Sequence, residues 1–196
     1  MPRTLLSTLI KGVDTTLVLL LCSLTMQAAV PKGWFIAGSN PTQYNSGIDP
    51  VAAYNGHASA YLKAKAPVVE GFGTLMQSIR ADHYAGKRVR FSALVKTEGV
   101  QDRAGLWMRV DKGATTVAFD NMQNRPITGN TNWRKYEVVL EVRQDATDIY
   151  FGILLDGSGE AWISDGSFEV VGPEVLTTDS NPVEKPEEPV NLKFEQ

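Results

Sequence analysis

The chain has little of the residue chemistry that most enzymes and metalloproteins use. It contains one cysteine and two histidines in 196 residues. Cys22 lies in an apolar N-terminal run, so we expect the remaining chain to have no disulfide, thiolate metal site or cysteine nucleophile. His57 and His83 form no H-x-x-x-H pair, which leaves zinc without ligands at its usual spacing. Nucleophile-elbow, Walker and dinucleotide-binding motifs are also missing.

These absences predict that the chain is not an enzyme. The minor alternative is a glycoside hydrolase, because two of its carboxylates could still meet in space. Nothing in their spacing selects a particular pair. We also expect no cofactor.

Positive charge is scarce as well. The formal net charge is −3, and no basic stripe alternates with aromatic residues. We therefore expect no nucleic-acid ligand. Residues 174–196 hold six acidic against two basic side chains and three prolines, which predicts a disordered acidic tail. A solubilising C-terminus and a docking motif are its two interpretations.

The one long apolar run lies near the N-terminus. Arg3 and Lys11 precede the apolar residues 17–24, and the small residues Ala28 and Ala29 follow them. This order predicts a signal peptide over residues 1–28, and a periplasmic or secreted protein with no stable membrane insertion after cleavage. An uncleaved membrane anchor is the alternative.

Residues 29–173 have the pattern of a single all-β domain. Short segments alternate between apolar and polar residues at about ten-residue spacing, with Gly, Asn and Asp between them. These segments are residues 57–65, 73–80, 88–97, 104–111, 116–121, 133–142, 148–155 and 161–171. Residues 50–54 are the candidate helical turn. The pattern predicts a sandwich or barrel of about eight to nine antiparallel strands.

Several long patches occur in an order that narrows this fold. They are GKRVRFSALVKTEGV, AGLWMRVD, AFDNMQNRPITGNTNWRKYEVVLEV and IYFGILLDGSGEAWISDGSFEVV, within residues 71–172, and GWFIAGSNPTQYNSGIDP before them. This set resembles the accessory jelly-roll module of erythromycin-esterase-like and arabinose-regulator-type proteins. That module is of the galactose-binding-like type and is similar to carbohydrate-binding modules. The resemblance implies a jelly-roll β-sandwich and a carbohydrate-binding type of fold. It assigns no ligand, and the partner domains' activities are not carried over.

The stretch GLWMRVD is the strongest candidate for a binding surface. In a strand, Leu106, Met108 and Val110 point to one face, and Trp107, Arg109 and Asp111 point to the other. A flat ring beside bidentate polar groups suits a sugar, with the ring stacking on C–H faces and the polar groups binding hydroxyls. Trp162 is a further candidate, because it points to the face of its strand opposite to that of Ala161 and Ile163. The alternative is that Trp107 is core and Arg109 is paired internally.

The loop over residues 120–129 is rich in hydrogen-bonding groups. Asp120, Asn121 and Arg125 are candidate ligand contacts, although an ion pair of Asp120 with Arg125 or Arg109 would explain them equally well.

Asp165 is the candidate metal residue, in a structural calcium site that Asp49 or Asp156 would complete. A bulge or turn at Asp165 is the alternative.

Together these features predict a non-catalytic secreted or periplasmic binding module with a carbohydrate ligand. The alternative prediction is a structural or protein–protein interaction sandwich without a small-molecule ligand, whose partner is another protein.

Overall fold

A computed structural model describes residues 29–179. That part of the chain forms nine β-strands and a single 3-10 turn at Pro41–Gln43. The strands are β1 (Phe35–Gly38), β2 (Tyr44–Tyr54), β3 (His57–Ala64), β4 (Phe72–Arg80), β5 (Lys87–Lys112), β6 (Thr115–Asp120), β7 (Ile127–Val142), β8 (Asp148–Asp156) and β9 (Glu160–Val171). Every strand pair is antiparallel. The prediction of an all-β jelly-roll sandwich is therefore confirmed.

The strands form two layers that share β5. Residues 87–98 of β5 lie between β7 and β9, in a first sheet of order β2-β3-β9-β5-β7. Residues 103–111 of β5 lie between β8 and β6, in a second sheet of order β1-β4-β8-β5-β6. The strand therefore passes from one layer into the other, and the ladder shifts register three times between residues 95 and 104.

The core lies between the two sheets, and alternation along the strands supplies it. Leu106, Met108 and Val110 of β5 are fully buried there, as the pattern of GLWMRVD predicts. The inward positions of β8 and β7 join them. These residues are Ile149, Phe151, Ile153, Leu155, Val138, Leu140 and Val142. Burying such side chains is the main favourable term in folding.

Three local predictions differ from the structure. Residues 50–54 belong to β2 rather than to a helical turn, since Tyr54 still pairs with His57 after a bulge. The two predicted strands 88–97 and 104–111 are one continuous strand. Strand β7 begins at Ile127, six residues before the predicted start at Trp133.

The predicted signal peptide, residues 1–28, and most of the predicted tail lie outside the described residues. The first residues after the sandwich contact it. The Thr178 backbone N–H donates to the Val139 carbonyl at 2.9 Å, and the Arg88 guanidinium donates to the Pro173 carbonyl at 2.8 Å. Residues 29–179 contain no helix of the length and hydropathy needed to cross a bilayer.

A candidate binding groove on the second sheet

The outer face of the second sheet carries the side chains that point away from the core. Antiparallel register places these side chains in rows that run across the strands. One row contains Phe35, Met76, Gly152 and Trp107, taken from β1, β4, β8 and β5 in turn. This row therefore combines residues that lie up to 117 positions apart in the sequence, from Phe35 to Gly152.

Two further rows flank this one. Tyr150, Arg109 and Phe119 form one of them, across β8, β5 and β6. Ala37, Thr74 and Leu154 form the other, ending at Gly105. Together the rows line a groove of about 540 Å³. Its aromatic side chains are Phe35, Phe72, Trp107, Phe119 and Tyr150.

The floor of the groove is apolar and tightly packed. Trp107 is 8% exposed and clusters with Met76 and Leu154. Its indole Nε1–H donates to the Thr74 hydroxyl at 2.7 Å, and that hydroxyl donates to the Ile153 carbonyl at 2.8 Å. The ring is therefore fixed in orientation, with its polar atom satisfied.

The burial of Trp107 is what the internal-packing alternative expects. The indole also contributes to the lining of the groove, and sugar binding there stays a prediction.

The walls of the groove carry exposed aromatic rings. Phe35 is 43% exposed on β1 and Phe119 is 41% exposed on β6. These are the two outermost strands of the second sheet, so the rings stand on either side of the floor. Another depression of about 450 Å³, beside Lys63, Glu98 and Glu160, has no aromatic side chain in its lining. Among the described residues, a third depression of about 260 Å³ includes Trp34 in its lining, whereas the groove has five aromatic side chains.

Arg109 supplies a positive charge to the groove. Its guanidinium lies over the Tyr150 ring, 4.5 Å from the ring centre, and its Nη2 atom is 2.9 Å from Asp111 Oδ2. Asp111 is buried and its other carboxylate oxygen accepts from the Thr116 hydroxyl at 3.0 Å. Asp111 therefore forms a salt bridge with Arg109 but does not itself line the groove.

A second arginine lies at the other end of the groove. Arg103 Nε donates to Asp156 Oδ2 at 3.3 Å, and one of its Nη atoms lies 3.4 Å from the Asn121 carbonyl oxygen. Arg103 and Asn121 both line the groove. The sequence alone could not identify Arg103 as a groove residue. Its position depends on the register of β5 with β8 and on the turn after β6.

The other loop candidates have a structural role. Asp120 is fully buried, and Arg125 pairs with both of its oxygens, at 2.5 and 3.2 Å. The backbone N–H of Met122 also donates to Asp120, at 2.8 Å. This is the ion-pair alternative of the sequence analysis, and the pair lies beneath the loop rather than in the groove lining.

Trp162 lies on the first sheet, away from the groove. It pairs in register with Tyr61 and Lys96, and the Lys96 ammonium lies 4.7 Å above its ring. Its indole N–H donates to Asp49 at 3.0 Å. The backbone N–H of Ala52 is the largest of several hydrogen-bonding causes that lower the pKa of Asp49. Trp162 and Trp107 therefore do not form one platform.

Asp165 is exposed and has a positive φ of 52°, at an irregularity in the β5–β9 ladder. Within residues 29–179, no group of three or more His, Cys, Asp or Glu side chains is arranged to hold a metal ion. Calcium binding at Asp165 stays a prediction.

Sequence reasoning missed the aromatic walls and most of the floor. The segment DIYFGILL carried a usable signal, since Tyr150, Gly152 and Leu154 share the face opposite its core residues. Phe35 gave no comparable signal, because β1 has only four residues.

Comparison with solved structures shows the fold. The xylan-binding CBM22-1 domain of Paenibacillus barcinonensis Xyn10C matches 74% of this chain and 90% of its own, at 16% identity and a TM-score of 0.52. A Stig cyclase, Fisc, from Fischerella sp. TAU in complex with (3Z)-3-(1-methyl-2-pyrrolidinylidene)-3H-indole matches 74% and 87%, at 14% identity and a TM-score of 0.53. The protein thus has a jelly-roll fold like that of carbohydrate-binding modules.

Comparison of sequences gives a different kind of relative. The chain is 48% identical over 168 residues to an uncharacterized HTH-type transcriptional regulator, YbfP, of Bacillus subtilis strain 168. The match covers 84% of this chain and 57% of the regulator, so the chain spans little more than half of that relative's length. No family model matches the chain.

This relative corrects the functional prediction. The sequence analysis predicts a non-catalytic secreted or periplasmic binding module, and that prediction is wrong, because a relative at 48% identity is named as a transcriptional regulator. The name assigns a regulatory role to that relative. The alternating pattern of residues 29–173 carries no information about such a role, because a jelly-roll domain has the same pattern whatever process it serves.

Proposed function

We propose that this chain is the ligand-sensing domain of a transcriptional regulatory system, and that its effector binds in the groove of the second sheet. The similarity to a protein named as an HTH-type regulator carries the regulatory part. The groove supports the sensing part, because it combines a fixed indole floor with two exposed phenylalanine walls and polar groups at its ends.

A carbohydrate is the ligand class that we propose. Sugars present flat C–H faces to aromatic rings and hydroxyls to polar groups, and the groove offers both. The jelly-roll fold shared with a xylan-binding domain is consistent with this class. The resemblance of the sequence to the accessory module of arabinose-regulator-type proteins adds a second reason to propose a sensor.

Binding without turnover is part of the same proposal. Glycoside hydrolysis requires two carboxyl groups facing the substrate, roughly 5–10 Å apart. The described residues that line the groove include no aspartate or glutamate. The bound sugar would therefore leave unchanged, and chromatography of the recovered ligand checks this.

Binding is tested with the purified chain on a glycan array, beside Phe119→Ala and Val170→Ala. Both side chains are exposed, at 41% and 49%, but Val170 lies outside the groove lining. We expect Phe119→Ala to weaken the binding of a detected glycan about fivefold, since one stacking ring contributes about 1 kcal/mol. Equal loss in both variants, or no glycan bound by the wild-type chain, would contradict the sugar site.

The regulatory role is tested in cells. Transcripts are compared between a strain that lacks this chain and its parent, with and without the glycan that the chain binds. We expect a set of transcripts to respond to that glycan in the parent, and the Phe119→Ala strain to resemble the deletion. An identical response in all strains would contradict the role.

Localisation is a separate proposal that depends on residues 1–28 alone. The predicted signal peptide would carry the chain to the periplasm or beyond. Fractionation with an antibody to the chain tests it. Recovery of the full-length chain in the cytosol would contradict export.

A further inference from the structure

The effector's charge can be inferred from Arg109. We propose that the groove recognises an acidic saccharide, and that Arg109 binds the carboxylate of a uronic-acid unit whose ring lies on Trp107. This inference rests on the proposed function and makes its ligand class more specific.

The positive groups of the groove face its interior, whereas their carboxylate partners do not. Arg103 and Arg109 belong to the lining, and Asp111 and Asp156 do not. Asp111 is only 9% exposed at its side chain and Asp156 is 32% exposed. A ligand beside Arg109 therefore meets the guanidinium before it meets the carboxylate of Asp111.

Arg109 has hydrogen-bonding capacity that the protein does not use. A guanidinium has five N–H donors, and the Nε atom of Arg109 is buried without an acceptor. Its side chain is still 39% exposed, so an incoming oxygen atom can approach the guanidinium. The exposed N–H groups of the guanidinium can therefore donate to a ligand oxygen, whereas the buried Nε atom is not accessible to one.

The surroundings of Arg109 favour a carboxylate over a hydroxyl. The guanidinium carbon lies 4.5 Å from the centre of the Tyr150 ring, and the planar guanidinium fits the two oxygens of a carboxylate edge-on. Charge-assisted hydrogen bonds of this kind are about twice as strong as neutral ones.

The position of Trp107 favours a carboxylate attached to a ring. Trp107 and Arg109 share one face of β5, two residues and therefore about 7 Å apart along the strand. A sugar ring stacked on the indole floor would thus place a substituent at the guanidinium. A uronic acid has such a carboxylate on its ring.

The experiment compares acidic ligands with neutral counterparts, and in the first pair the two members differ at the carboxylate alone. Calorimetric titration of the full chain uses an oligogalacturonate and its methyl ester, and a xylo-oligosaccharide with and without a glucuronic-acid substituent. We expect the acidic member of at least one pair to bind about tenfold more tightly, as a charged hydrogen bond predicts. We also expect its affinity to fall as salt rises, because salt screens exposed charges.

Three variants locate the effect. Arg109→Gln should abolish the preference for the acidic member, and Arg109→Lys should keep part of it, because the charge remains without the planar fork. Arg134→Gln, at an exposed arginine of β7, should leave the preference unchanged. The salt dependence of the wild-type chain gives a test even if an Arg109 variant fails to fold.

The possible outcomes separate the two proposals. Equal binding of acidic and neutral members would overturn this inference and leave the sugar site standing. Preference for the acid that survives Arg109→Gln would also overturn it. Failure of the wild-type chain to bind any member, together with an empty glycan array, would overturn the sugar site itself.

Discussion

At the scale of single residues, Asp120 shows how the protein keeps a charge in its interior. The carboxylate is 0% exposed, and its partners are the Arg125 guanidinium and the Met122 backbone N–H. Arg125 also donates to the Glu137 carbonyl at 3.2 Å, which ties the loop to β7. A buried carboxylate is tolerated only when it is paired and hydrogen-bonded in this way.

Removal of the arginine should therefore be costly. We expect Arg125→Met to lower the free energy of unfolding by about 3 kcal/mol, because it leaves an uncompensated buried charge. Urea unfolding followed by tryptophan fluorescence measures it. Arg143→Met is the control, since its partner Asp145 is exposed, and it should cause no measurable change. A change below about 0.5 kcal/mol in Arg125→Met would mean that the pair behaves as a surface ion pair.

At the scale of strands, two glycines leave the floor of the groove without side chains at their positions. Gly152 lies between Met76 and Trp107 in one row, and Gly105 ends the neighbouring row. A Cβ atom at Gly152 would lie 2.2 Å from the Leu75 carbonyl oxygen and 2.8 Å from Met76 Cα. Since both contacts are with backbone, β4 and β8 cannot accommodate a side chain there without moving apart.

This contact predicts a cost for the smallest substitution. We expect Gly152→Ala to reduce stability by about 1–3 kcal/mol, the usual range for overpacking. Gly166→Ala is the matched control, because nothing lies within 4 Å of its Cβ position on β9. Thermal unfolding of both variants measures the difference. Equal midpoints would show that β4 and β8 can separate without loss.

At the scale of the whole molecule, Tyr44 joins the two sheets. It begins β2 of the first sheet, and its hydroxyl donates to the Gly71 carbonyl at 2.7 Å and lies 2.9 Å from the Gly157 carbonyl oxygen. These carbonyls precede β4 and follow β8 of the second sheet. Burial is the main cause that raises the pKa of Tyr44 to about 12, and the charges of Asp156 and Asp102 add to it.

The raised pKa makes the contribution of Tyr44 dependent on pH. Because the folded protein holds this proton more tightly than the unfolded chain, whose tyrosine pKa is about 10, stability is complete below pH 10 and falls between about pH 10 and 12. Absorbance at 295 nm should show one of the six tyrosines titrating late. Tyr44→Phe should lose that step and the corresponding part of the pH dependence. A late step that persists in Tyr44→Phe would assign the raised pKa to another residue.

The groove could be predicted from the sequence only in part, whereas the fold class could be predicted from it. The faces of β5 follow from alternation alone, so Trp107 and Arg109 could be placed on an outward face from seven residues of sequence. Trp162 satisfies the same rule but lies on the other sheet, and alternation has no information about which sheet a strand joins. The sequence left Arg125 and Arg109 open as partners of Asp120, with a ligand contact as an equal alternative, and the structure shows the pair with Arg125.

The sequence by itself determined the fold class, the inward residues and the outward residues of the strands, because these depend on the two-residue period of a pleated chain. Only the tertiary structure decided that the outward face of the second sheet is a groove. That outcome depends on strand order, which brings Phe35, Met76, Gly152 and Trp107 into one row, and on a single strand, β5, that passes between the two sheets. Such pairings join residues far apart in the chain, and no local pattern encodes them.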